Sequence, residues 1–545
     1  MSVGAHPPAP RTYWWSKAVI YQVYIRSFTD SDGDGIGDIA GICERLPYLR
    51  DLGVDAIWIN PWYRSPMVDA GYDVSDYRDI DPLFGTLKGA TDLIRAAHDV
   101  GLRVIVDVVP NHTSDRHPWF QAALASAPGS HERSRFIFRE GRGPGGTEPP
   151  NDWLSAFGGP AWTRITAADG NPGQWYLHLF TPEQPDLDWT SQEVRDELLS
   201  VLEFWLALGV DGFRIDVAHG MIKAPGLPDV GYADLGDLPY GIAEAHDVPD
   251  HPHWDREELH DIYRDWHRLT ARYPDVTFVG EIVLKDIART ARYTRPDELH
   301  SAFNFPFLRA GWDADALREV ITTTIEAFSA VGAISTWVLG NHDVTRVATR
   351  YGGGDLELGV RRSMAAHLMM LGLPGGAYIY QGDELGLPEV LDIDPDARQD
   401  PIFTRSGGAV VGRDGCRIPL PWTEHGPSFG FSPDAASAEP WLPLPADWGS
   451  FSVQAQDPDP AAPLTLIRQA LTIRASHPGF ADASFAWSPS APTVLHFTRA
   501  SGVGVVANLG QNPIAMPEYT QILATSQPLI DGMLPPDATC WYAAD

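Results

Sequence analysis

Eight short apolar segments, each followed by a longer amphipathic stretch, predict an α/β chain whose parallel strands close into a (β/α)8, or TIM, barrel. Two other features point the same way. The 545 residues are enough to bury a large core. Polar residues also gather at the C-terminal ends of the segments, where a barrel carries its chemistry. A doubly wound open sheet is the alternative, but eight units favour closure.

The segments are "AVIYQVYIRSF" (18–28), "AIWINP" (56–61), "RVIVDVVPNH" (103–112), "GFRIDV" (212–217), "TFVGEI" (277–282), "SAFNFPF" (301–307), "STWVLGNHD" (335–343) and "AYIYQGDE" (377–384). Between them lie helical patterns such as "GATDLIRAAHDVG" and "SQEVRDELLSVLEFWLALG", the latter ending in Gly209 as a C-cap would. Residues 1–112 and 186–475 therefore read as the two parts of the barrel. Residues 113–185, rich in Gly, Pro and aromatics, read as a subdomain inserted after the third strand. Residues 476–545 carry strand–turn texture and read as a C-terminal β-sandwich-like domain.

Composition narrows the function. Seventy-two acidic against 40 basic residues give a net charge of −32, which excludes phosphate-rich partners: no nucleic acid and no anionic membrane surface is expected. Cys43, Cys416 and Cys540 stand far apart, without disulfide or zinc spacing. "MSVGAHPPAPRTYWW" lacks a charged region followed by an apolar core, and no run of 18 apolar residues occurs. The expectation is a cytoplasmic protein, monomeric or homodimeric.

The segment ends hold Asp107, Asn111 and His112; Arg214 and Asp216; Glu281; and His342 and Asp343. One strand-end Asp is ordinarily a helix N-cap. Four strands that all end in carboxylates, three of them with His or Arg, point instead to a carboxylate-based active site. In "VDGFRIDVAHG" (210–220), period-two alternation puts Phe213, Ile215 and Val217 on one face and Arg214, Asp216 and Ala218 on the other.

These stretches carry a family resemblance. "DVVPNH", "GFRIDVAHG", "GEI" and "LGNHD" look like the four ordered signature regions of the α-amylase superfamily (glycoside hydrolase family 13). "QPDLDW" (184–189) resembles the accessory region at the end of its inserted domain. "YQVYIRSFTDSDGDGIGDIAGI" and "DAGYDVSDYRDIDPLFG" resemble the α-glucosidase and oligo-1,6-glucosidase branch. The resemblance implies Asp216 as nucleophile, Glu281 as general acid/base and Asp343 as the carboxylate gripping two sugar hydroxyls. Arg214 would hold Asp216 ionised, and His112 and His342 would donate to the same sugar. Asp107 would orient rather than react.

The resemblance also implies that Asp69 binds non-reducing-end hydroxyls while Tyr72 stacks under the ring. The arginine paired with Asp69 would come from "RDGCR", as Arg413 in preference to Arg417. Such a pair closes a pocket behind one glucose and implies exo action. Val217 accompanies α-1,6 cleavage in the oligo-1,6 branch. The following "AHG" and the insert "PGLPDVGYADLGDLPYG" depart from that branch and leave the linkage open.

In "DSDGDGIGD" (30–38), Asp30, Asp32, Asp34 and Asp38 offer hard oxygen donors around flexible glycines. An Asx-turn loop without metal is the alternative. The resemblance implies structural Ca2+ or Mg2+ here, with the Ile36 carbonyl as a further ligand, and no organic cofactor. The expected activity is release of glucose from short gluco-oligosaccharides by a retaining α-glucosidase. A glucosyltransferase, sucrose isomerase or trehalose synthase would share the same carboxylates. An inactive scaffold is disfavoured because all three carboxylates are present.

Overall fold

The computed structural model describes residues 13–167, 170–231, 251–499 and 502–544. The leader reading at residues 1–12 and most of the insert quoted above, from residue 232 on, lie outside the described residues.

All eight anticipated strands form. They are β1 (Val19–Val23), β2 (Ala56–Ile59), β3 (Arg103–Val108), β4 (Gly212–Ile215), β5 (Thr277–Gly280), β6 (Ser301–Ala302), β7 (Thr336–Val338) and β8 (Gly376–Tyr380). Except between β6 and β7, each pairs in parallel with its sequence neighbours, and β1 pairs with β8 through Val19 and Ala377. Among the described residues no ladder joins β6 to β7, so the barrel is closed but for that seam. A helix follows each strand in turn, from Ile39–Leu52 after β1 to Pro463–Ser476 after β8. Asp38 caps the first helix by accepting from the Gly41 amide, and Gly53 ends it at φ 94°. Gly209 sits one residue past the C-cap Leu208 of the helix Gln192–Ala207, at φ 103°.

Period-two alternation explains where the polar groups go. Ile20, Trp58, Ile105, Val279, Phe303, Val338 and Tyr378 fill the barrel with one apolar plug. Two residues further along their strands the same inward face carries Gln22, Asn60, Asp107 and Glu281, and on β4 Arg214 follows Gly212. Outward residues such as Tyr21, Ile57, Val104, Phe213 and Phe278 pack under the helices, so both faces of each strand are buried.

Between 113 and 185 the chain forms a three-stranded antiparallel sheet of Phe138–Arg139, Pro172–Leu177 and Trp162–Thr166. A bridge between His112 and Asp186 brings the two ends of this insertion together beside the pocket. Beyond residue 476 lies a five-stranded antiparallel sheet with a separate two-stranded ribbon. Trp541 and Thr539 of that sheet donate to the Leu368 and Ala365 carbonyls of the helix Leu356–Gly372 and fix it to the barrel.

Candidate active site

Arg214 is the centre of the pocket. Its Nη1 donates to Asp107 Oδ1 at 2.9 Å and to Asp216 Oδ1 at 2.6 Å, and its Nη2 pairs with Glu281 Oε1 at 2.7 Å. The guanidinium is 1% exposed, lying over Trp58. Three carboxylates thus share one fixed positive charge in a nearly dry space. Burial pushes the Asp216 carboxyl well up, with Arg214 opposing and Glu281 and Asp107 adding to the rise. Asp107 is pushed up to about 6, again by burial against the pull of Arg214. Asp107 also accepts from Trp58 Nε1 and the Tyr72 hydroxyl, so its contacts are to pocket-wall groups.

The alternation expected through Val217 does not persist. β4 ends at Ile215, and Val217 adopts φ 46°, a left-handed conformation that a β-branched residue rarely takes. The reason is the neighbouring carboxylate. The turn aims the Val217 amide at Glu281 Oε2 (3.0 Å) and the Ala218 amide at the Glu281 carbonyl (3.0 Å). Arg214 and Asp216 still meet, but through a strained turn rather than a shared strand face. Glycine or asparagine marks such a turn in a sequence; a valine does not.

Asp343 faces this group from the end of β7. Arg413 Nη1 and Arg417 Nη2 donate to its Oδ1 at 3.0 and 2.9 Å. Burial alone would raise its carboxyl, but His342 and the arginines hold it well below the ordinary carboxylate range. Arg413 Nη2 reaches Asp69 Oδ1 at 2.9 Å, so Arg413 rather than Arg417 is the partner of Asp69. This pair is no surface contact, because the Asp69 side chain is 5% exposed. Tyr72 lies face to face with His342, ring centroids 5.4 Å apart and 4° from parallel, and their polar tips meet at 2.8 Å. His112 joins Gln184 at 3.1 Å, and burial pushes its imidazole down to about 4, so the ring is neutral.

Four members of the site were not anticipated. Asp400 receives the Arg413 amide, Nε and Nη2 and aims its guanidinium. Gln184, within the quoted "QPDLDW", bridges Asp69 and His112. Gln22 and Asn60 hold the two nitrogens of His342. Inward parity on β1 and β2 could have flagged this last pair. Below His112, the buried Lys223 ammonium touches Asn111 Oδ1 (2.8 Å), Asp186 Oδ2 (2.7 Å) and the Gly220 carbonyl (2.8 Å), tying the inserted region to the loop after β4.

The loop at 30–38 lies apart from these groups. Oxygens of Asp30, Asp32 and Asp38 fall within 4.8 Å of one another, whereas Asp34 is outside that set. Asp30 accepts from the Gly33 and Gly35 amides, and Asp34 from that of Ile36. None of the four carboxylates is in an ion pair with a described residue. Converging hard oxygens with no balancing cation suit Ca2+ or Mg2+.

The sequence profile "Alpha amylase, catalytic domain" matches residues 22–483. A protein named "Probable alpha-glucosidase" from Rhizobium meliloti (strain 1021) is 37% identical over 517 residues, covering 90% of this chain and 88% of its own. An "Oligo-1,6-glucosidase" from Heyndrickxia coagulans is 33% identical, with 92% and 93% covered. Among solved structures, the alpha-glucosyl transfer enzyme XgtA superposes with a TM-score of 0.87 at 35% identity, covering 98% of this chain and all of that one. The match takes in the end of β1, all of β2 to β8, and Asp216, Glu281 and Asp343, and the chain belongs to the alpha-amylase family.

Proposed function

We propose that this protein is a retaining, exo-acting α-glucosidase that releases glucose from the non-reducing end of short α-1,4- or α-1,6-linked gluco-oligosaccharides. The observation that carries the reading is the double use of Arg413, which binds Asp343 beside the reacting carboxylates and Asp69 behind them. That arrangement suits one glucose ring with its far hydroxyls gripped. Relatives named for α-glucosidase and oligo-1,6-glucosidase activity support it.

In this reading the Asp216 carboxylate attacks the anomeric carbon as the glycosidic C–O bond breaks, and Glu281 passes its proton to the departing oxygen. Glu281 then takes a proton from water, which attacks the β-glucosyl ester and regenerates Asp216. Asp343 accepts from the sugar 2- and 3-hydroxyls, while Tyr72, His112 and His342 line the ring. Asp30, Asp32 and Asp38, with Asp34 and the Ile36 carbonyl, would hold structural Ca2+ or Mg2+ away from the chemistry. The protein is read as cytoplasmic, in keeping with three unpaired thiols; no described helix is long and apolar enough to cross a membrane.

The second reading, transfer of glucose to a sugar hydroxyl, is favoured by the likeness to XgtA. A proton NMR time course with maltose and, in parallel, isomaltose separates the two. Glucose released first as the α-anomer, without larger sugars, supports the hydrolase and reports the linkage. A trisaccharide or rearranged disaccharide ahead of free glucose makes it a transferase.

A further inference from the structure

Asp73 is buried, 0% exposed, and pairs with no cation among the described residues. Its partners are donors of its own loop. Oδ1 accepts from the Asp69 amide (3.0 Å) and the Ser65 hydroxyl (2.9 Å), and Oδ2 accepts from the Val68 amide (3.0 Å). The Ser65 oxygen in turn accepts from the Met67 amide at 2.9 Å. A buried carboxylate without a counter-charge is costly, and burial pushes this one up to about 6. Around it the backbone bends sharply: Met67 and Ala70 stand at φ 64° and 52°, positions that side-chain-bearing residues avoid. The loop closes as the Tyr72 amide donates to the Asp69 carbonyl at 3.0 Å. Residues 65–73 are therefore wound around one carboxylate, and the residue thrust out of the winding is Asp69.

We infer that Asp73 is a positioning residue for glucose binding: its carboxylate fixes the Asp69 backbone so that the Asp69 side chain meets Arg413 and the sugar. Asp69 Oδ1 and Oδ2 are taken by Arg413 and Gln184, while its amide is taken by Asp73, which orients the group from both ends. A neutral amide at position 73 keeps the volume but offers one acceptor oxygen where two now serve, so the loop's donors cannot all be met. The inference rests on the reading of Asp69 as a glucose ligand.

The test is a double-mutant cycle with Asp73→Asn, Asp69→Asn and the pair, reading maltose kcat and KM, glucose inhibition and melting temperature. Asp73→Asn is expected to raise KM and the glucose inhibition constant about tenfold with kcat within about threefold, as loss of one bond to a charged group implies. Added to Asp69→Asn, it should cost less than about twofold more, because the group it positions is gone. Independent, multiplicative effects, or a fall in kcat and melting temperature at unchanged KM, would overturn the inference and leave Asp73 as scaffold. If Asp69→Asn itself leaves glucose inhibition unchanged, the pocket reading fails first and takes this inference with it. Should Asp73→Asn not fold, Ser65→Ala removes one donor to the same carboxylate and must move KM the same way by a smaller factor; an unchanged KM there also overturns it.

Discussion

Two acidic clusters in this molecule are built on opposite principles. In the pocket, Asp69, Asp107, Asp216, Glu281, Asp343 and Asp400 are held by three guanidinium groups, each clamped by at least one carboxylate. In the 30–38 loop the carboxylates are held only by amides and hydroxyls. Guanidinium groups are planar, permanently charged and directional, so they fix carboxylate oxygens around a neutral sugar while offsetting part of their charge. Amide donors leave the negative charge unbalanced, which fits a bound cation. On the function proposed above, one cluster serves the reaction and the other would hold an ion.

The comparison fails most visibly if the pocket carboxylates are interchangeable with the loop's. Asp216→Asn is expected to lower turnover by about 10⁴-fold or more with the fold intact, as for loss of a nucleophile. Full activity in that variant would refute the assignment. Glu281→Gln should abolish turnover of maltose yet spare glucosylation by aryl glucosides, whose leaving groups need little protonation. Equal loss on both would contradict the acid role.

Arg413→Lys sharpens the contrast by keeping charge and removing the fork. It should raise KM about 10- to 100-fold, since one ammonium cannot serve Asp69, Asp343 and Asp400 together. Steady-state kinetics on maltose measures it, and an unchanged KM would show that only charge matters.

The pH response follows from the crowded guanidinium. With Asp107 pushed up to about 6 and Asp216 also raised, kcat/KM should fall as pH drops through about 6, because the ionised forms serve catalysis. The stability term has the opposite sign. Carboxyls raised in the fold bind protons more tightly than in the unfolded chain, so their contribution declines as pH climbs from about 4 towards 6. Activity that stays flat down to pH 5 would contradict the shared-charge picture. The smallest effect belongs to the loop: a chelator should lower the melting temperature by a few degrees and leave kcat within about twofold. An unchanged melting curve, or lost kcat at full fold, would break the division of labour.

The sequence alone determined the repeating strand–helix order, because each barrel strand is a short apolar run bounded by turns and period two dictates which residues look inward. The same logic made Asp107, Arg214, Asp216, Glu281 and Asp343 legible as one site, and the family resemblance, through "RDGCR", confined the partner of Asp69 to two arginines. Tertiary structure decided the rest. Asp400 and Gln184 became pocket residues only because long connections return over the barrel mouth and bring Arg413 to Asp69, 344 residues away, and single-chain spacing carries no trace of that. Val217 looked like one more strand residue until the β4 end had to bend so that its amide could meet Glu281. Asp73 carried no reading in the sequence, yet burial made its carboxylate the hub of a loop. Local alternation is written in neighbouring residues; the direction of a carboxylate is set by whichever donors the fold brings to it.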